Sequence, residues 1–313
     1  MFIIPQSPAL VKWTDKKSQN VKLAARMAAA GFTERAYRMK MCGTLLDMQY
    51  CPDCQRSFVS SANLCRDRLC PTCSWRLSLK LFAEMCATLS YIKDIEDYAA
   101  GFLTLTVKNC AVHELRAAIG EMNSAWNRAM SGKRMKQLCA GFAKSLEITY
   151  NWQTKTFHPH FHIIMLTREG KTAGELHEFF RKKWAKVCRY DYEPITDYRG
   201  IKADETRIDE DKFTAAILET YKYAVKSDEM EQMPLEIFRE FVQQISGLRF
   251  RSYGGIIKEA RAEMCFSDDN NIDEPQREIC DCGATLQKIS LQWSFSDKQY
   301  KLMQDRLDFE DKH

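Results

Sequence analysis

The apolar and polar positions alternate most clearly at residues 101–109 (GFLTLTVKN), the pattern of a strand with one face buried. The period then changes. Over residues 114–130, Leu115, Ile119, Met122 and Trp126 recur three or four positions apart, which predicts an amphipathic helix. Residues 143–151 and 157–166 are two further strand-like runs, and the short polar stretch between them predicts a hairpin. A helix over 174–187, a weaker strand over 198–208 and a helix over 213–226 complete the series.

The order strand, helix, strand, strand, helix, strand, helix predicts an α+β domain. Its expected core is a ferredoxin-like antiparallel sheet with helices on one face. This domain spans residues 96–228. Residues 1–95 precede it as a basic helical arm followed by a cysteine-rich segment. Residues 229–313 follow as a helical extension that contains a polar, acidic stretch over 267–278 and a Cys-x-Cys tail.

Composition narrows the function only a little. Of the 313 residues, 45% are hydrophobic, enough for a core, and the formal net charge of +4 is weak evidence for any partner. The distribution says more: residues 12–40 carry eight Lys or Arg against Asp15 and Glu34, which suits a polyanion such as DNA and equally a solvated helix face. No basic leader and no apolar run of spanning length is present, so a soluble, cytoplasmic protein with no membrane association is expected.

Three of the six histidines fall within five positions, in His158-Pro159-His160-Phe161-His162. Residues two apart on a strand share a face, so His160 and His162 can hold one metal while Phe161 points into the core. Pro159 cannot donate to a ladder and belongs at the start of the strand, which leaves His158 the less certain ligand. Folding the hairpin about residue 154 brings Glu147 to the same place. Two imidazoles and a carboxylate leave coordination positions open for a phosphate oxygen.

A second constellation lies in Glu219-Thr220-Tyr221-Lys222-Tyr223-Ala224-Val225-Lys226. On a helix Glu219 and Tyr223 stand at i, i+4, with Lys226 three residues further on. A phenol can attack a phosphodiester and hold DNA as an ester, a carboxylate can activate water, and an ammonium can steady developing negative charge. Alone this is ordinary helix surface; the histidine cluster gives it weight.

Thirteen cysteines in a long chain without an export signal point to metal rather than to disulfides. Cys51-x-x-Cys54 and Cys70-x-x-Cys73, with fifteen residues between them, predict one structural tetrahedral zinc, with Cys65 as an alternative ligand. Cys280 and Cys282 form half a knuckle whose role is open. Cys86, Cys139 and Cys188 read as core residues.

These stretches, taken together and in order, resemble the rolling-circle replication initiators of small bacterial plasmids, within the HUH endonuclease superfamily. The resemblance runs from Cys51 to about Gly255. It rests on residues 64–76 (LCRDRLCPTCSWR), 102–106 (FLTLT), 147–162, 219–226 and the Tyr253-Gly254-Gly255 run. It implies His160 and His162 as ligands of magnesium or manganese, Tyr223 as nucleophile and Glu219 as the base that ends a round. Tyr221 departs from the family pattern; the helix geometry selects Tyr223, the phenol that shares a face with Glu219 and Lys226. The resemblance further implies a 5′-phosphotyrosine intermediate and plasmid origin DNA as partner, both duplex and with an exposed single-stranded nick site. Host helicase and DNA polymerase are implied too, and a homodimer stays open. A relaxase or transposase of a mobile element would use the same residues. A non-enzymatic zinc-containing DNA-binding regulator would need the cysteines but not the histidines.

Overall fold

A computed structural model of the chain describes residues 8–95, 98–168, 172–201, 210–222, 225, 227–266 and 277–303. In chain order the elements are α1 (Pro8–Ala29), α2 (Thr33–Met41), β1 (Leu45–Tyr50), β2 (Ser57–Ala62), α3 (Pro71–Ile95), β3 (Ala99–Thr106), α4 (Leu115–Ser131), α5 (Lys133–Leu138), β4 (Cys139–Asn151) and β5 (Thr156–Thr167). There follow α6 (Ala173–Cys188), β6 (Thr196–Gly200), α7 (Glu210–Tyr221), α8 (Ser227–Gln232), α9 (Leu235–Gln244), β7 (Arg251–Gly255), α10 (Ile256–Glu263), β8 (Gln287–Ser294) and β9 (Gln299–Leu302).

The chain forms two compact units, Met1–Leu77 with Asn270–His313, and Ser78–Asp269. This differs from the expected division at residues 95 and 228. Strand pairing is the reason. β7 joins β4 in the second unit's sheet, and β8 joins β1 in the first unit's sheet. The C-terminal region is therefore not a helical extension. Its first part completes one sheet and its last part completes the other.

The first unit has a four-stranded sheet in the order β2-β1-β8-β9. Leu10 and Trp13 of α1 pack with Leu46, Met48, Val59, Leu291, Trp293 and Tyr300 in its core. The amino-terminal basic arm is not wholly a solvated face. Lys17 is buried, and its ammonium donates to the carbonyls of Lys40 and Cys42.

The second unit has a five-stranded sheet in the order β6-β3-β5-β4-β7, with every neighbouring pair antiparallel. Phe161 and Ile163 of β5 and Leu146 and Ile148 of β4 are fully buried on one face. Trp126 of α4 meets Phe142 on that face, Trp184 of α6 donates to the Thr106 carbonyl, and Phe241 of α9 stacks on Phe157. α7 does not join them. It packs on β5 and β4 from the opposite face, where Glu219 approaches His162. The expectation of helices on one face is corrected accordingly. Two glycines explain the Tyr253-Gly254-Gly255 run. A Cβ on Gly254 would sit 2.2 Å from the Phe142 ring, and Gly255 has φ +58° with its Cβ position 2.0 Å from the Ala140 carbonyl.

Lys144 interrupts the apolar face of β4. Its side chain is 7% exposed, donates to Asn123 Oδ1 at 2.7 Å and lies 3.9 Å from the centre of the Phe161 ring. Burial pushes its ammonium down to about 7. Unfolded lysine holds its proton to about pH 10.4, so between about pH 7 and 10 the unfolded chain binds more protons and stability rises with pH. Lys144→Met should therefore raise stability by ~1–3 kcal/mol at pH 7, with a smaller gain near pH 9.5. Urea unfolding at the two pH values measures this; an equal or larger gain at pH 9.5 would contradict the assignment.

Candidate active site and metal centres

The β4–β5 hairpin builds the histidine site. At its turn Asn151 Oδ1 accepts from the backbone of Gln153 and Thr154 at 3.0 and 3.1 Å, an Asx turn, and Lys155 takes φ +54°. This fixes a register in which Glu147 lies directly opposite His160 and Ser145 opposite His162. Strand alternation then turns Glu147, His160 and His162 to one face.

The three side chains converge. Glu147 Oε2 lies 3.0 Å from His160 Nε2 and 2.8 Å from His162 Nε2. The other ring nitrogens have partners of their own. His160 Nδ1 is 3.2 Å from the His158 carbonyl. His162 Nδ1 is 3.3 Å from Thr104 Oγ1 on β3, and Phe102 stacks on the His162 ring at 5.3 Å. Such partners hold an imidazole in one orientation with Nε2 turned toward Glu147. One donor atom from each of Glu147, His160 and His162 falls within 4.8 Å of the others, a spacing that fits a metal ion. His158 is not among them; its Nδ1 lies 2.7 Å from Asn109 Oδ1.

Burial alone would push the Glu147 carboxyl up, but hydrogen bonds from His160, His162 and Lys222 hold it well below the usual carboxylate range. Lys222 was not singled out by the sequence. Its Nζ lies 2.9 Å from Glu147 Oε2, and it also pairs with Glu219. Burial works against its charge, yet these two carboxylates keep its ammonium above its ordinary value. Glu219 Oε1 is 3.6 Å from His162 Nε2 and so borders the same site.

The helix carrying Glu219 is shorter than expected. α7 ends at Tyr221, and Lys222 lies past its end in a bend. Tyr223 and Lys226 lie outside the described residues. Tyr221 is 2% exposed, and burial, followed by the neighbouring Tyr253 phenol, pushes its hydroxyl well above its ordinary range. That oxygen faces the protein interior.

The cysteines form two separate sets. Sulfurs of Cys42, Cys65, Cys70 and Cys73 gather in one place and those of Cys51, Cys54, Cys280 and Cys282 in another. The single site expected from Cys51, Cys54, Cys70 and Cys73 is thus corrected, because the six-residue strand β2 stands between the two knuckles. Cys65 belongs with Cys70 and Cys73, and Cys42 is the ligand candidate that spacing missed. It stands in no C-x-x-C pair, and only the α2–β1 turn brings it in.

In the first set the sulfur separations are 3.5 Å for Cys42–Cys73, 3.5 Å for Cys42–Cys70 and 3.7 Å for Cys65–Cys73. Tetrahedral zinc at about 2.3 Å from each sulfur needs sulfurs about 3.8 Å apart, whereas a disulfide needs about 2.0 Å. The donors therefore fit a metal. Backbone amides of Cys65 and Arg66 point at Cys42 and Cys73 sulfurs at 3.4 and 3.2 Å, an arrangement that favours thiolate.

A sheet face that presents two strand histidines and a carboxylate, with a glutamate and a lysine from a facing helix and its end, is consistent with an HUH-type rolling-circle replication initiator. The comparisons agree: the family model for Replication protein (Rep_1) matches residues 56–301, and the chain belongs to this family of rolling-circle plasmid replication initiators. A "Protein rep" of Streptococcus pneumoniae serotype 2 (strain D39) is 29% identical over 272 residues, covering 83% of this chain and 82% of its own. One from Bacillus amyloliquefaciens is 31% identical over 266 residues, covering 79% and 78%, and one from Lactiplantibacillus plantarum is 28% identical over 271 residues, covering 83% and 84%. No solved structure gives a significant match. Among the described residues no helix is long and apolar enough to cross a membrane.

Proposed function

We propose that this chain starts plasmid replication by nicking one strand of the origin with Tyr223, at a centre formed by Glu147, His160 and His162. The convergence of both Nε2 atoms on one Glu147 oxygen, at 3.0 and 2.8 Å, carries the reading. The order β6-β3-β5-β4, with α4 and α6 on one face, supports a ferredoxin-like core, to which β7 is added as a further edge strand.

Glu147, His160 and His162 would hold a divalent ion, magnesium or manganese, and a zinc would sit among Cys42, Cys65, Cys70 and Cys73. When bound, the divalent ion supplies Lewis-acid polarisation of the scissile phosphate. The residues of the chain do the rest. The Tyr223 oxygen attacks phosphorus, the bond to the 3′-oxygen breaks, the phenol gives up its proton and the departing 3′-oxygen gains one. The 5′-phosphate stays on the tyrosine, and the 3′-hydroxyl is a primer for a host polymerase. Lys222, between Glu147 and Glu219, balances their charge and keeps Glu219 beside the histidines. Glu219 takes the proton from water when the regenerated origin is cut. Lys226 is retained as a second cation for the developing phosphate charge.

The partners under this reading are duplex origin DNA, its exposed single-stranded nick site, a host helicase and a polymerase, all met in the cytoplasm; a homodimer is compatible with it. Family membership favours the plasmid initiator over a relaxase or transposase. A non-enzymatic regulator would leave the histidine–glutamate convergence without a role. The direct test is a labelled origin oligonucleotide incubated with protein and Mn²⁺. A covalent protein–DNA band on a denaturing gel is expected, and nicking without any such band would overturn the tyrosine route.

A further inference from the structure

The cysteines that the nicking reading leaves aside are the most concentrated unassigned chemistry in the molecule. Cys51 and Cys54 flank the turn between β1 and β2, and Cys280 and Cys282 arrive from a segment more than two hundred residues later in the chain. Their sulfurs meet at 3.5 Å for Cys51–Cys282 and 3.5 Å for Cys54–Cys280. All four donor atoms lie within 4.8 Å of one another.

The backbone around them has the form of paired metal knuckles. Gln55, directly after Cys54, has φ +58°, and Gly283, directly after Cys282, has φ +90°. Arg66, directly after Cys65 in the first cysteine set, has φ +57°, so a left-handed residue follows a cysteine in both sets. The Cys54 amide donates to the Cys51 sulfur at 3.5 Å, and the Gly283 amide closes a turn on the Cys280 carbonyl at 2.8 Å. The late segment is seated by more than sulfur. Its Cys280 amide donates to Ala284, its Arg277 amide to Gln49 of β1, and Cys51 and Cys280 share a small core with Leu286.

We propose that Cys51, Cys54, Cys280 and Cys282 form a second structural zinc site, distinct from the site of Cys42, Cys65, Cys70 and Cys73. Four thiolates at these separations match tetrahedral zinc, and soft sulfur donors select it over magnesium or manganese. The two sets lie at opposite ends of β1, whose six residues span roughly 17 Å at about 3.3 Å per step, and their sulfurs gather as separate groups, so they do not share an ion. This zinc fastens the segment leading into β8 to the β1–β2 hairpin and holds β8 in place beside β1. Two of its cysteines, Cys54 and Cys282, are exposed, whereas three of the four in the first set are buried. The second zinc is therefore the more open to chelators.

The test uses the full chain purified without added chelator. Elemental analysis should find two zinc ions per chain, one in Cys280→Ser/Cys282→Ser, and one in Cys42→Ser/Cys70→Ser. A variant that keeps a ligand guards against misfolding as an explanation: Cys54→His should retain two metals, while its cobalt-substituted form loses part of the sulfur-to-cobalt absorption. Limited proteolysis should cut near residues 277–286 faster in Cys280→Ser/Cys282→Ser than in wild type. One zinc in the wild type, two in Cys280→Ser/Cys282→Ser, or an unchanged cobalt spectrum in Cys54→His would each overturn the proposal.

Discussion

Alanine at His160 or His162 should reduce nicking of origin DNA by roughly 10³-fold or more, because loss of one imidazole leaves too few donors to hold the ion against the phosphate. Each ring presents Nε2 to the same Glu147 oxygen, so neither can stand in for the other. Binding to duplex origin DNA should be nearly unchanged, since affinity comes mainly from phosphate contacts made elsewhere. Gel-shift and nicking assays on one preparation separate the two effects, and manganese titration should show weakened binding. Full nicking by His160→Ala in either magnesium or manganese would remove the metal centre from the mechanism.

Tyr223→Phe should lower both nick and covalent adduct by roughly 10⁴-fold or more, the scale seen when a nucleophile is deleted. Tyr221→Phe should leave adduct formation near wild type and act, if at all, on stability, because its hydroxyl is enclosed beside Tyr253. Glu219→Ala should still form the adduct, since the phenol is intact, but release of the protein from DNA should slow by about 10²–10³-fold as the base for water is lost. The quantity to follow is adduct against released product over time. Adduct from Tyr223→Phe together with none from Tyr221→Phe would reverse the assignment of the phenols. Normal release by Glu219→Ala would place the base elsewhere.

The histidine centre was readable in the sequence because strand alternation has a period of two and a hairpin has one register once its turn is fixed. Glu147, His160 and His162 follow from those two rules alone. Lys222 was not readable, because its place depends on where α7 stops, and the sequence predicts a helix continuing to residue 226. The burial of Tyr221 adds a reason to place the nucleophile at Tyr223. The cysteine spacing announced metal but misjudged its partition. Two C-x-x-C pairs can join only if the chain between them folds back, and β1 and β2 instead lead each pair to a partner of its own. Strands β8 and β9 escaped notice because their pairing partners are distant in sequence, and short runs rich in Lys, Gln and Ser give little periodic signal.

The pairing of β1 with β8, from Leu45 opposite Gln292 to Tyr50 opposite Gln287, has a consequence for synthesis. On the ribosome β1 is made long before the strand that must lie beside it. The second unit, Ser78–Asp269, is complete in the nascent chain before β8 emerges. The first unit, begun earlier, must wait for β8 with one edge of β1 unpaired. Translation therefore imposes an order in which the catalytic body matures before the amino-terminal sheet closes. Ribosome-bound chains stalled shortly after residue 269 should already protect the β3–β5 core from protease while β1 and β2 remain open to it.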